Sequence, residues 1–547
     1  MKRKAPFMAI ALTSLFLYSC TPTEKQEVKD YTQYVNTFIC DCVGTGEIGN
    51  RGTDDSPAVQ AINIANDCNV YVYGGSIANN ITNSNGAGVL LGDSASFYMY
   101  GGSVKNNKTT QNGGGISVQP SSSGGVYLYN GEISDNSAVN GGGIYFDNGY
   151  NFNMSGGEIK NNSSTESGAG ISILGNMNAY ISGGSIYENV CTSNGGGIFA
   201  TDYNAKVIIT GGTITKNTAM WGGGIYLFNA AQMTMSDSAV ISENTANSNG
   251  GGVFLNQSAN VSGVGIVKPT LTMTGGNIEG NTATGNGGGI CEARGSVVDI
   301  SGGTVKNNKS SHGAGIFIGD VSNATFSDGV ITGNTATGYG GVYACESRET
   351  TFTMTGGNIN ENTAIYGGAI SLEKATVNIT GGYIDSNVAT EGGGCHVRNG
   401  GKLNITDGNL MNNTATEGAG VYAYGNNEYN RVIVTISGNT EIMNNIATGN
   451  GGGIGTKDYV TINLSEGDEI QIHLEEYETK DFRVEGQMIG YKLIHNGELK
   501  KAEDVREGLR QNCILSATEK GEYYPCLIGR SSDITTLKNG TITVIEK

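Results

Sequence analysis

Residues 207–228 read VIITGGTITKNTAMWGGGIYLF. An apolar run (Val207, Ile208, Ile209) meets the pair Gly211-Gly212, then Ile214, two polar residues and Asn217. Thr218-Ala219 and the triplet Gly222 to Gly224 lead into Ile225 and Leu227. The pattern returns as GGSIYENVCTSNGGGIF, GGNIEGNTATGNGGGI, GGNINENTAIYGGAI and GGYIDSNVATEGGGC. Its anchor is an Asn three places after an aliphatic residue. That Asn occurs at Asn80, Asn107, Asn136, Asn162, Asn189, Asn217, Asn244, Asn281, Asn308, Asn334, Asn362, Asn387, Asn413 and Asn445. Eleven of the thirteen spacings are 25 to 29 residues; the others are 37 (Asn244 to Asn281) and 32 (Asn413 to Asn445).

A fixed period in this range marks a stacked-repeat fold. Gly and β-branched residues dominate and no window carries a 3.6-residue apolar stripe, which excludes helical repeats. Each period holds about three short runs of period 2, such as VIIT, GTIT and GIYLF. The expected fold is all-β: a parallel β-helix, a single-stranded solenoid of about fourteen coils. Ile and Val should point inward and stack from coil to coil. Asn at a fixed turn position should bond its neighbours above and below as an amide ladder, and it tolerates left-handed backbone. The long coil contains NQSANVSGVGIVKP, expected to bulge out as a loop.

The elements ITKNTAMWGGGIYL and INENTAIYGGAISL (359–372) resemble the repeats of chlamydial-type polymorphic outer membrane proteins, over roughly residues 74–455. That family pairs a GGAI-like element with an aromatic-x-x-Asn element; this chain uses Ile, Val or Leu where the family favours Phe. The resemblance implies a surface-displayed right-handed β-helix with adhesive roles. Residues 49–68 are expected to cap the solenoid. Ser56 is a good N-cap and Pro57 fits the first helical position, so Ala58, Val59, Ile62 and Ala65 should line a short helix. The string TDDSPAVQAINIA also resembles the N-terminal cap of pectin-lyase-like proteins, many of which are polysaccharide lyases and glycosidases.

Residues 1–19 read as a lipoprotein signal peptide: Lys2, Arg3 and Lys4, then an apolar stretch too short for an ordinary membrane span. Leu17-Tyr18-Ser19-Cys20 resembles a bacterial lipobox with Cys20 as the lipidated residue, although Tyr18 replaces the usual small residue. Residues 20–48 form the lipidated start and tether. The expected location is the bacterial outer membrane or cell surface. Net charge is −18, or −21 without residues 1–19, which excludes nucleic-acid binding through a basic groove.

Residues 69–456 hold the repeats. Residues 457–547 carry 29 charged side chains in 91 positions, against 53 in the preceding 456. YVTINL, EIQIHL and TITVIEK alternate as strands, and 500–511 has the look of a short helix, giving a β-rich cap or small domain. Cys191, Cys291, Cys345 and Cys395 read as buried filler. Cys40, Cys42 and Cys68 offer one N-terminal disulfide, and Cys513 with Cys526 another.

No Cys/His spacing fits zinc, and no phosphate loop or dinucleotide fingerprint is present. Polygalacturonase-like hydrolases use clustered Asp with His, Arg and Lys; the only Asp pair is Asp54-Asp55. A lyase needs a basic residue near acidic calcium ligands. Arg294, Arg348 and Arg398, each after a Gly-rich run, are the candidates, with Glu292, Glu346 and Glu373 in comparable positions. Trp221, Tyr339 and Tyr366 share a repeat position and are candidate sugar-stacking rings. Two functions remain. One is a non-enzymatic surface lipoprotein, an adhesin or glycan-binding scaffold with no cofactor, held to the outer membrane by its lipid and facing polysaccharide or a host surface. The alternative is a pectin-lyase-like polysaccharide lyase or glycosidase, with calcium a candidate cofactor.

Overall fold

The computed structural model describes residues 60–455 with their side chains, apart from 65, 121–123, 427–429 and 450, and beyond them the backbone strands between 47 and 49 and from 456 to 545. Two compact units are distinguished: residues up to 193 with 197–199, and residues 194–196 with those from 200 onward. Both are parallel β-solenoids built from the same coil. The described residues contain no α-helix.

One coil of the second unit shows the plan. Ile225–Phe228 lies in a first sheet, Gln232–Met235 and Val240–Ser242 in a second, and Thr245–Ala246 in a short third. Each pairs in parallel with its counterpart one coil on: Ile225 opposite Val253, Gln232 opposite Thr270, Val240 opposite Asn277 and Thr245 opposite Thr282. Ile225, Leu227, Met233, Met235, Ile241 and Ala246 are all buried and fill the interior. Each fully buried aliphatic side chain contributes about 1.5–3 kcal/mol, and the same columns recur in every coil.

The Gly triplet has a different cause at each position. Gly222 has φ +64, and a Cβ there would lie 2.6 Å from the Ile225 carbonyl. A Cβ on Gly223 would meet the Thr245 carbonyl at 2.5 Å. On Gly224 it would meet the Gly252 carbonyl at 2.6 Å and the Asn244 amide at 3.0 Å. The triplet therefore lets the backbone of one coil, and its ladder Asn, press against the next.

The amide ladder forms as expected. Asn281 donates from its backbone N (2.9 Å) and Nδ2 (3.0 Å) to Asn308 Oδ1, and Asn308 does the same to Asn334 at 3.0 Å each. Nδ2 also donates to an aliphatic carbonyl one coil back, as Asn308 does to Ile278 at 3.0 Å. These residues are 0–1% exposed, so the ladder belongs to the core. One detail differs from expectation. The left-handed residue is the one before each ladder Asn, including Asp135, Glu188, Lys216, Glu243 and Glu361 at φ 53–56. That corner turns the chain, and the buried Asn after it reaches inward.

The helix expected to include Ile62 is not there: Ile62–Ile64 is a strand, paired in parallel with Val89–Leu91. Its alternation buries Ile62 and Ile64, and the column bonding of the first sheet outweighs the capping signal at Ser56, which lies outside the described residues. Parallel pairing reaches both sides of 69–456, with Glu47–Gly49 on Ser76–Ala78 and Val460–Leu464 on Val432–Thr435. The expected bulge is an antiparallel hairpin, Ala259–Val261 with Gly265–Val267. Beyond the last coil the strands turn antiparallel; Thr535–Ile545 pairs with Val432–Ala447 and with Glu469–Thr479. The helix expected over 500–511 is instead largely the strand Glu498–Arg506, paired with Met488–His495.

Cys191, Cys291, Cys345 and Cys395 are all buried, as their filler role requires. Cys68 is also buried; Cys40 and Cys42, the other residues of the expected N-terminal disulfide, lie outside the described residues. Cys513 and Cys526 fall on Gln511–Ser516 and Gly521–Gly529.

Candidate functional sites

The structure brings Tyr339, Tyr366 and Arg398 together on the outer side of the first sheet. Tyr339 and Tyr366 precede the positive-φ residues Gly340 and Gly367, and their rings stack 4.9 Å apart. Tyr339 also stacks on Tyr343, 4.9 Å away, in the outward column of the sheet. Arg398 ends the strand Cys395–Arg398 and is directly opposite Glu373. Its Nε donates to Glu373 at 2.9 Å, its second guanidinium nitrogen bonds the same oxygen, and its carbon lies 4.3 Å from the Tyr339 ring centre. Asn399 donates to the other Glu373 oxygen at 3.0 Å. Burial pushes the Glu373 carboxyl up, but the Arg398 and Asn399 hydrogen bonds outweigh it and hold the acid below its usual range.

A serine–histidine–glutamate chain adjoins this cluster. Ser371 Oγ is 3.3 Å from His396 Nδ1, and His396 Nε2 is 3.4 Å from Glu391. Ser371 is fully buried and His396 is 2% exposed, so neither meets a substrate. Burial lowers the His396 pKa against the pull of Glu391, which leaves the ring neutral at pH 7. The ring lies in an aromatic column between Tyr366, 5.2 Å away, and Tyr422, 5.8 Å away. This arrangement fixes side chains in place and activates no nucleophile.

The other candidates stand apart. Trp221 precedes Gly222 and is 37% exposed. Arg294 and Arg348 are exposed in turns past the ends of their strands. Glu292 does not share the Glu373 position: it occupies an inward column between Leu255 and Ile318 and is fully buried. Neither of its carboxylate oxygens has a hydrogen-bond partner. Burial, aided by Asp299 and opposed by Lys268, raises its pKa well above the usual carboxylate range. Among the described residues no group of three or more His, Cys, Asp or Glu is placed to hold a metal ion.

One surface was not singled out from the sequence. Outward positions of the second sheet in the first unit carry two tyrosine ladders. Tyr71, Tyr98 and Tyr127 stack at 4.8 and 4.6 Å; Tyr73, Tyr100 and Tyr129 stack at 5.0 and 4.7 Å. All interplanar angles are 7–11°. Tyr73, Tyr100 and Tyr129 are 46%, 39% and 42% exposed. The signal was a Tyr-x-Tyr triplet at three successive repeats. Ring faces cover one another along the ladder, so edges and hydroxyls front the solvent.

The family described as the right handed beta helix region matches residues 137–272. No curated protein and no solved structure gives a significant match. The family match names a fold and no activity.

Proposed function

We propose that this chain is a non-enzymatic glycan-binding scaffold, tethered to the outer membrane through lipidated Cys20 and displayed toward polysaccharide or a host surface. The observation that carries the reading is the pair of exposed tyrosine ladders. Tyrosine offers apolar area and a hydroxyl at low entropic cost, since only two side-chain torsions need fixing. Single exposed apolar residues are ordinary, but a contiguous aromatic patch marks an interaction surface. Stacking fixes the rings before a ligand arrives, which lowers the ordering cost of binding. Repeated weak contacts then add through avidity along a polymer.

The lyase alternative needs a free basic group beside acids. Arg398, the one candidate Arg that meets an acid and aromatic rings, is held by Glu373 and stacked on Tyr339. The test is affinity electrophoresis of the whole chain in detergent through gels loaded with neutral or acidic polysaccharides. The triple variant Tyr73→Ala, Tyr100→Ala, Tyr129→Ala should lose most of the retardation that the native chain shows. Equal retardation of both would overturn the reading, and shortened polymer after incubation would establish the enzymatic alternative, with calcium dependence then worth measuring.

A further inference from the structure

A cavity of about 520 Å³ opens on the outer face of the first sheet within the first unit. Its origin is a dent in a column. Leu90, Ser117 and Tyr145 stand opposite one another on successive strands, so a small residue sits between two large ones. Ser117 forms the floor and Tyr145 one wall. Gln119, just past the strand Ile116–Val118, and Asp147, at the end of Ile144–Asp147, make a second wall. Asn66 and Asp93 close it from the turn beyond the sheet, where Asn66 Oδ1 accepts from the Asp93 backbone N at 3.0 Å. Asn85 closes it from the turn before the sheet, its Oδ1 accepting from Asn112 N at 3.1 Å.

We propose that this cavity is a binding site for the non-anionic, hydroxyl-rich end of a glycan. Its size suits roughly one or two pyranose rings. Asp93, Asp147, Asn66, Asn85 and Gln119 offer the acceptor and donor mix that vicinal hydroxyls require. Among the described residues the lining holds two carboxylates and no Lys, Arg or His, so a uronate or sialate would enter against like charge. The Tyr145 hydroxyl, its pKa pushed up to about 12 by burial and by Asp147, remains a hydrogen-bond donor at every physiological pH. The inference rests on the glycan reading above and narrows it: the ladders hold the polymer side-on, and the cavity takes an end.

The test is calorimetry on the whole chain with trisaccharides of glucose, mannose, N-acetylglucosamine and glucosamine, and with trigalacturonate. At least one of the first four should bind and trigalacturonate should not. Ser117→Phe fills the cavity, and the same column carries Phe254 and Phe317 in other coils, so the fold accommodates the ring. It should weaken binding at least tenfold, and Asp147→Asn should weaken it several-fold while sparing the core. Binding unaffected by both variants, tighter trigalacturonate binding, or no binding of any trisaccharide overturns the cavity proposal. The tyrosine triple variant separates the two claims. If the cavity fails alone, Ser117→Phe retains native polymer retardation while the triple variant loses it; if the glycan reading fails, the native chain shows no retardation to lose.

Discussion

Replacing Asn308 by Ala tests whether the buried amide ladder holds the coils together. The Asn308 side chain accepts from the backbone N and Nδ2 of Asn281, at 2.9 and 3.0 Å, and donates to Asn334 Oδ1 and the Ile278 carbonyl, at 3.0 Å each. Truncation leaves the Asn281 backbone N–H and the Ile278 carbonyl without these partners. It also removes one of the two acceptors of the Asn281 amide, which keeps the Ile241 carbonyl at 2.9 Å. Each buried group left unpaired costs about 1–3 kcal/mol. Asn334 Oδ1 likewise loses one of two donors and keeps the Asn308 backbone N at 3.0 Å, so two full and two partial losses predict a destabilisation of about 4 kcal/mol. Asp is no remedy, because it restores the acceptor but not the donors and adds an acid to a dry core. A solenoid opens coil by coil, so a global melting curve would blur the effect. Amide hydrogen exchange resolves it. The opening free energy for amides around Asn281 and Asn308 should fall by about 4 kcal/mol, while amides of coils near Asn136 keep theirs. Thr335, exposed in the neighbouring short strand, is the control, and Thr335→Ala should change exchange by less than about 0.5 kcal/mol. A loss below about 1 kcal/mol in Asn308→Ala would refute the ladder as a structural device.

Glu292→Leu should stabilise the second unit by about 1–3 kcal/mol at pH 7, because it exchanges an unpartnered buried acid for the residue its column carries at Leu255. The gain should depend on pH: the folded pKa is raised above the ordinary 4.5, so native stability is full below that value and falls as pH rises beyond it. Urea denaturation at pH 4 and pH 8 checks this, and an equal gain at both would be inconsistent with it. Glu361 sits at φ 55 in an exposed corner, where a residue with a Cβ is disfavoured by about 1–2 kcal/mol. Glu361→Gly should recover up to about 1 kcal/mol against the entropy it adds to the unfolded chain, whereas Glu361→Ala should give nothing; a less stable Gly variant in the same urea titration would contradict that account.

What the sequence displays is columns. The ladder Asn, the inward Ile and Val and the Gly triplets recur at one period, and each can be placed from that period alone. Residues that break the period were misplaced. Glu292 reads as a loop acid beside Arg294, yet the alternation of Ile290–Ala293 turns it inward. Ile62 reads as helical because Ser56-Pro57 is a strong local signal, but column bonding to Val89–Leu91 prevails. Asn tolerates a left-handed corner, but the corner falls one residue earlier, where Glu and Lys occupy it in several coils. Stacking of identical corners along the solenoid imposes the conformation whatever the side chain.

The candidate sites are departures from the period, and that is why they are harder to read from the sequence. Tyr339 and Tyr366 share a turn column and were paired from spacing, but Arg398 joins them only because it lies two coils beyond Tyr339 and its side chain reaches back past Glu373. Such a contact depends on side-chain length across coils, which no spacing rule encodes. The tyrosine ladders sit on outward positions, where the core does not restrict the residue type and the rings stack on one another. The same column that holds Tyr71, Tyr98 and Tyr127 continues with Asn153 and then Tyr180. The dent at Ser117 comes from a column that mixes sizes, with Ser117 between Leu90 and Tyr145 and Ser172 on the far side of Tyr145. In a repeat protein whose core selects a narrow set of residues, the outward positions are free to vary, and a run of like aromatic residues there requires a cause outside the core. On the reading proposed above, a ligand that follows the strand spacing supplies one.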